Sequence, residues 1–340
     1  MIAPTTPATT VPTAPLVVAV VGPTATGKSE LGLALAERLA GEVVNVDAMQ
    51  LYRGMDIGTA KLSAPERRGI VHHQLDVLDV GEDASVARYQ LEARRDLGAI
   101  AVRGRRAVVV GGSGLYVRAL LDRLTFPGTD AGVRARLEER AERHGTRQLH
   151  DELARLDPAA AIAIGPANAR RIVRALEVIE ITGLPYTANL PAQVYEVPAV
   201  QIGLDCDRAV LDSRVEQRVD RMWERGLVAE VLGLLARGSG GMGRTAARAV
   251  GYAEVIALIG GEGDEAGARA AVVANTRRLA RKQMTWFGRD PRVHWLDARD
   301  PDLVDAAFDL VVAADRGAAG PADLSGADGS AARERRTLGT

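Results

Sequence analysis

The 340-residue chain has very little cysteine: Cys206 alone. No intrachain disulfide can form, and no set of thiolates is available for a structural zinc site. Secreted disulfide scaffolds and cysteine-based zinc modules are therefore excluded. Lysine is almost as scarce, since Lys28, Lys61 and Lys282 are the only lysines among 43 basic residues and the rest are arginines. In so arginine-rich a chain, a retained lysine points to a position that needs a compact ammonium, although codon usage accounts equally well for Lys61 and Lys282. Long apolar runs are missing too. The opening run, Leu16 to Val21, is too short to cross a bilayer, and no basic leader or small-residue cleavage pattern accompanies it. A cytoplasmic protein with no membrane partner is expected. Nor is there an excess of either charge, with 43 basic residues against 44 acidic ones and a net charge of -1. Nucleic-acid-binding proteins often carry a basic surplus, so the balance alone argues against such a partner, but local clusters outweigh the sum.

What is present is a globular composition, 47% hydrophobic and 26% charged, with length for about two domains. Residues 1–14 and 316–340 hold too little apolar bulk to offset their ordering entropy and are expected to be disordered tails. Leu16 to Val21 reads as a buried parallel strand. A helix follows over Lys28 to Ala40, then strands near Glu42 to Val46, Val71 to Asp76 and Ala107 to Val110, with a helix from about Ser85 to Arg103. This alternation predicts an α/β fold with a parallel sheet flanked by helices, covering residues 16–127 and 195–312. Residues 128–194 read as an all-helical insertion, charge-rich and helical from about Asp130 to Thr182. Val200 to Leu204 then returns as a strand, followed by helices over Arg208 to Arg225 and Ala266 to Phe287 and a strand at Val293 to Leu296.

Gly22-Pro23-Thr24-Ala25-Thr26-Gly27-Lys28-Ser29 fits the phosphate-loop pattern GxxxxGK[ST] and lies between a buried strand and a helix. Its glycines let backbone N–H groups turn inward, the helix adds its positive N-terminus, Lys28 supplies a point charge, and the Ser29 hydroxyl suits Mg2+. The pattern specifies a di- or triphosphate rather than ATP in particular. A small-metabolite kinase is one reading, yet the acid such enzymes place after another hydrophobic strand is missing after Ala107 to Val110. It stands instead at Asp47, after the second strand, where it either orders a turn or orients a nucleophile and takes its proton.

Arginine is patterned as well. Arg214, Arg218, Arg221 and Arg225 line one side of the helix from Arg208, and no acid lies four residues from any of them. That row needs a counter-anion from elsewhere, either a phosphate or carboxylates on another element. Arg277, Arg278, Arg281 and Lys282 form a second row beside Trp286 and Phe287, as in single-stranded nucleic-acid sites or as cations near a helix C-terminus. Arg170, Arg171 and Arg174 make a third cluster. Three patches on a neutral chain suggest a polyanion larger than a nucleotide. His72 and His73, adjacent on a strand, point to opposite faces and do not readily share a metal ion.

With these motifs in order, the chain resembles the bacterial tRNA dimethylallyltransferase (tRNA isopentenyltransferase) family. The likeness rests on GPTATGKS at 22–29, DAMQLYRGMDIGTAK at 47–61, HHQLD at 72–76, VGGSGLY at 110–116, RRIVRALEV at 170–178, RVEQR at 214–218, RAVGY at 248–252 and RKQMTWF at 281–287. The resemblance implies a P-loop core in which residues 22–29 hold the diphosphate of dimethylallyl diphosphate. Asp47 would act as general base on the exocyclic amine of the tRNA adenosine immediately 3' of the anticodon. Thr24, Lys28, Arg218 and Ser29 with Mg2+ would stabilise the departing diphosphate. It further implies that the insertion and the basic helix grip the anticodon stem-loop, with contacts from Asp47, Ala48, Met49, Gln50, Ser113, Arg134, Arg170, Arg171, Arg174, Arg248, Gly251, Tyr252, Arg281, Lys282 and Gln283. A protein that wraps one stem-loop needs no second copy, so a monomer is expected. Ala48, Leu62, Ser113, Ala253 and Gly288 depart from the usual family pattern, the last two where a basic side chain is common. Transfer to free adenine nucleotides, a P-loop kinase and a nucleotide-gated binding protein are the competing expectations.

Overall fold

Every residue of Val17-Val-Ala-Val-Val21 is buried, because both faces of this strand, β1, are covered. Val17, Ala19 and Val21 face one apolar core, while Val18 and Val20 face another. A strand buried on both sides loses the polar alternation of a solvated sheet, so the unbroken run was legible. In the computed structural model, which describes residues 15–189, 193–237 and 241–317, the chain divides into two compact units. One comprises residues 1–121 with 195–340, the other residues 122–194.

In the first unit, β1 leads into helix α1 (Lys28–Arg38) and strand β2 (Glu42–Asn45), followed by edge strand β3 (His72–His73), helix α2 (Val86–Val102), strand β4 (Ala107–Val110) and helix α3 (Gly114–Leu121). The second unit consists of helices α4 (Ala131–His144), α5 (Thr146–Leu156), α6 (Pro158–Ile164) and α7 (Ala169–Thr182), with a short 3-10 turn at Tyr186–Asn189. The first unit resumes with β5 (Ala199–Asp205), α8 (Arg208–Glu224), α9 (Leu227–Leu235), α10 (Arg244–Ala247), α11 (Tyr252–Ile259), α12 (Glu265–Phe287), β6 (Val293–Asp297) and α13 (Leu303–Asp315). The six strands run parallel in the order β3-β2-β4-β1-β5-β6. The loops at the C-terminal ends of β1, β2 and β4 leave from neighbouring strands, which is where ligands bind in open α/β sheets.

Two expectations change in detail. The strand expected over Val71 to Asp76 is confined to His72–His73, because Gln74 and Asp76 adopt left-handed backbone with φ of 58° and 56° and turn the chain off the sheet edge. The helical unit begins at Asp122 rather than at residue 128. Its two ends are joined there, Arg123 N donating to Val194 O at 2.9 Å. This unit has its own core of Leu137, Leu149, Leu153, Ile172 and Leu176. Its helices are capped locally: Asp130, Asp157 and Asn168 each accept a backbone N–H of the first turn, a contact of about 1 kcal/mol apiece. The expected tails lie outside the described residues, apart from Arg316 and Gly317, which close α13.

Candidate active site

The phosphate loop leaves β1 at Gly22, whose φ is 127° and where a Cβ would lie 2.7 Å from Leu204 O. Only glycine fits so near the neighbouring strand. The loop is then fixed from within. Buried Thr26 donates its hydroxyl to Pro23 O at 2.9 Å, and Lys28 donates its ammonium to the same oxygen at 2.5 Å. Lys28 and Ser29 open α1. The Lys28 side chain is partly exposed along its length, but its ammonium is enclosed. Desolvation chiefly, with Arg218 adding its charge and Asp47 opposing, lowers its pKa from 10.5 to about 7.

Asp47 follows β2 within a cross-braced turn. Its N–H donates to Asn45 Oδ1 and its Oδ1 accepts from Met49 N, both at 2.9 Å. Asn45 Nδ2 donates in turn to Asp47 O and Gln74 O. The turn after β4 closes on it from the side. Gly111, with φ of 156°, lies so near that a Cβ would be 2.7 Å from Val46 C, and the Ser113 hydroxyl accepts from Ala48 N at 3.1 Å. Ser113 therefore braces the Asp47 turn, while Ala48 and Met49 pack against the main core.

Arg218 arrives from α8. One terminal nitrogen donates to Thr59 O at 3.1 Å, whereas its buried Nε has no hydrogen-bond partner among the described residues. Burial lowers its pKa, against the pull of Asp47. Thr24, Lys28, Ser29, Asp47, Gln50 and Arg218 line one cleft enclosing about 650 Å3 of space open to solvent, with Val43, Ala60, Leu62, Leu75 and Val110 supplying apolar wall. A buried cation pair with one carboxylate and an unsatisfied guanidinium N–H suits a polyanionic group attached to an apolar one. Ser29 and Asp47 offer hard oxygen ligands to the same space, the kind Mg2+ takes together with phosphate oxygens. Among the described residues no cluster of three or more His, Cys, Asp or Glu could hold a metal by itself.

The residues named for a larger partner divide. Arg248, Arg281 and Lys282 are exposed, as are Arg278 and Arg289, and none of these side chains forms an ion pair among the described residues. Trp286 is 41% exposed and packs over Gly114. In the helical unit, Arg170 and Arg171 stand exposed in the first turn of α7, where the helix dipole disfavours cations and favours an anion. Arg134 and Arg174, by contrast, both bind the fully buried Glu177, at 2.7 and 2.9 Å, and Arg174 also donates to Pro127 O and Gly128 O. The row on α12 is partly answered by carboxylates, because Arg277 pairs with Asp212 and Glu216 of α8. Tyr252 is completely buried. Its hydroxyl donates to Glu230 at 2.6 Å, and the same carboxylate accepts the N–H groups of Asp56, Ile57 and Gly58. Gly251, with φ of 93°, turns the chain into α11 just before it. Gln283 faces inward and bonds the phosphate loop.

Other motif residues hold the scaffold. Lys61 is buried and bonds Tyr52 O, Asp56 and Asp76, a reason for a compact ammonium at that position. His73 sits between Glu42 and Asp96, chiefly raised in pKa by the Asp96 contact, whereas desolvated His72, lowered in pKa, lines the cleft. Glu230 was not legible in the sequence. An acid on α9 carries no local sign that it will receive three backbone N–H groups from residues 56–58.

A sequence model described as IPP transferase matches residues 50–290. A tRNA dimethylallyltransferase of Streptomyces coelicolor is 59% identical over 294 residues, covering 86% of this chain and 94% of that protein. Its counterpart in Thermobifida fusca is 58% identical over 300 residues, covering 87% and 94%. Among solved structures, the tRNA isopentenylpyrophosphate transferase of Bacillus halodurans matches with a TM-score of 0.63 at 40% identity, over 87% of this chain and 94% of that one. A eukaryotic dimethylallyltransferase acting on tRNA matches with a TM-score of 0.75 at 25% identity, over 88% and 78%.

Proposed function

The chain belongs to the IPP transferase family, and from that premise we propose how its cleft works and on what. It is an enzyme, a tRNA prenyltransferase. Its donor is dimethylallyl diphosphate, and its acceptor is the exocyclic amine of the adenosine immediately 3' of the anticodon. The observation that carries the donor assignment is the unsatisfied Nε of buried Arg218 in a cleft shared with the Lys28 ammonium and the Asp47 carboxylate. A diphosphate satisfies both cations, and the apolar wall suits a short prenyl chain.

In the reaction the amine nitrogen forms a bond to the first carbon of the allylic chain as the bond from that carbon to the diphosphate oxygen breaks. Asp47 accepts the amine proton, and diphosphate departs against Lys28, Arg218 and the loop at Thr24. Donors fixed in place where negative charge grows stabilise the transition state, typically by about 3 kcal/mol each. Ser29 would hold Mg2+, which would supply further charge to the leaving group. A target base held in a folded loop has to be unstacked to reach the cleft, at a cost of a few kcal/mol. Among the described residues no helix is long and apolar enough to cross a membrane, in keeping with a cytoplasmic reaction on tRNA.

The deciding experiment is mass analysis of tRNA nucleosides after incubation with dimethylallyl diphosphate and Mg2+. One added prenyl unit on an adenosine, with release of inorganic diphosphate, is expected. Unmodified tRNA, or ATP turnover without the prenyl donor, would overturn the reading.

A further inference from the structure

Gln283 belongs to the basic segment of α12, yet its side chain points the other way from its neighbours. Arg281 and Lys282 are exposed, while Gln283 is partly buried with both ends of its amide engaged. Its Oε1 accepts from Thr24 N at 2.8 Å, and its Nε2 donates to Gly112 O at 3.1 Å. The chemistry fixes the orientation of the amide, because a backbone N–H can only donate and a carbonyl can only accept. One side chain therefore ties the phosphate loop after β1 to the turn after β4. The fit is close, since a Cβ on Gly112 would lie 2.2 Å from Gln283 Nε2 and 3.3 Å from Gly22 O.

We infer that Gln283 is a positioning residue for the phosphate loop and not a tRNA contact, an inference that rests on the diphosphate site proposed above. Thr24 is the loop residue whose backbone it fixes, and Ser113, next to Gly112, braces the Asp47 turn. The clamp thus sets the spacing between the groups that face the leaving diphosphate and the carboxylate that faces the amine. A shift of the loop by a fraction of an ångström would misplace both, because positioning contributes to the rate only when the reacting groups stay in register.

The test compares Gln283→Leu, similar in bulk but without either hydrogen bond, and Gln283→Glu, which keeps the acceptor for Thr24 N and sets a second acceptor against Gly112 O. For the Leu variant, kcat/KM for dimethylallyl diphosphate should fall about tenfold or more, as expected when a buried donor loses its partner. Its dissociation constant for an anticodon stem-loop should stay within about twofold of the wild type. The Thr24 amide should exchange its hydrogen faster. Glu should lie between, and it carries the same test should the Leu variant fail to fold. A tenfold loss of stem-loop affinity with donor kinetics unchanged would make Gln283 a tRNA contact and overturn the inference, as would unchanged values on both axes. The function proposed above fails separately, by absence of transfer from the wild-type chain, whereas the Thr24 exchange rate reads the clamp without any turnover.

Discussion

Arg218 turns one terminal nitrogen to the carbonyl oxygen of Thr59, at 3.1 Å, and keeps its buried Nε without a partner. Thr59 O also receives Gln50 Nε2 at 3.2 Å, so the carbonyl orients the guanidinium while leaving an N–H for a ligand. Arg218→Ala should lower the single-turnover rate of transfer by about 10^2 to 10^3, the range for loss of one fixed transition-state donor. Stem-loop affinity should be unchanged. Arg218→Lys should restore little, because one ammonium cannot hold Thr59 O and an anion in the same fork. A Lys variant with wild-type rates would show that charge alone suffices there.

Lys28 makes donor binding depend on pH. Its pKa of about 7 in the free protein means that the ammonium is largely neutral above that pH, and a bound diphosphate draws a proton back onto it. Affinity for inorganic diphosphate should therefore weaken as pH rises through 7 and above. Calorimetry in buffers of different ionisation heat should detect proton uptake at pH about 8, and Lys28→Met should abolish the part beyond the ligand's own titration. Stability follows the opposite sign. With the folded pKa below the unfolded 10.5, the unfolded chain binds the extra proton between about pH 7 and 10.5, so this group raises stability as pH climbs through that window. Lys28→Met should accordingly melt higher than wild type at pH 7 while losing transfer activity. A lower melting temperature would contradict the enclosed ammonium.

Asp47 is held by its own turn, with no cation at bonding distance among the described residues, which leaves the carboxylate available to a substrate proton. Asp47→Asn preserves the turn contacts and removes the base. The chemical step should slow by about 10^2 to 10^4, with stem-loop binding retained. Single-turnover rates equal to wild type would remove Asp47 from the reaction.

What could be read in the sequence was what local periodicity encodes. β1, the phosphate loop and α1 form one continuous pattern of apolar run, paired glycines and helix, and the structure departs from it by only a residue or two at the ends. Asp47 stood out as an acid at a strand end, and Arg218 as an arginine without a helical partner. Long-range contacts could not be read. Gln283 and Thr24 are 259 residues apart along the chain, and Gln283 lies in a basic motif that suggests an outward role. Tyr252 sits in a motif that the resemblance assigns to tRNA, yet its hydroxyl donates to Glu230, the carboxylate that also receives the N–H groups of residues 56–58. Arg134 and Arg174 are both held by Glu177, whose complete burial between them has no sign in the local sequence.

Lys61 anchors the loop that carries Thr59. Its ammonium is buried and bonds Tyr52 O, Asp56 and Asp76, while the two carboxylates remain partly exposed, at 54% and 38%. Replacement by Met would leave Tyr52 O without its donor and the carboxylates without their shared cation. The expected loss is about 2 to 4 kcal/mol, below that for a fully enclosed pair because both carboxylates keep access to water. A urea titration should show a lower midpoint with an unchanged slope. Wild-type stability in this variant would mean that the three contacts balance the cost of burying the ammonium.

Arg278 tests the outward face of α12. It is exposed, and among the described residues it pairs with no acid, while Arg277 beside it is held by Asp212 and Glu216. If the outer row meets phosphates of a stem-loop, each contact releases a counterion, and the logarithm of affinity falls with the logarithm of salt at about 0.7 to 0.9 per contact. Arg278→Ala should therefore weaken stem-loop binding and make the salt slope shallower by about one unit. The Arg277→Ala variant should instead lose thermal stability and keep the wild-type slope, since its charge is already neutralised within the protein. Fluorescence titration of a labelled stem-loop at several salt concentrations distinguishes the two. Identical slopes for wild type and Arg278→Ala would assign the basic helix to the fold rather than to RNA.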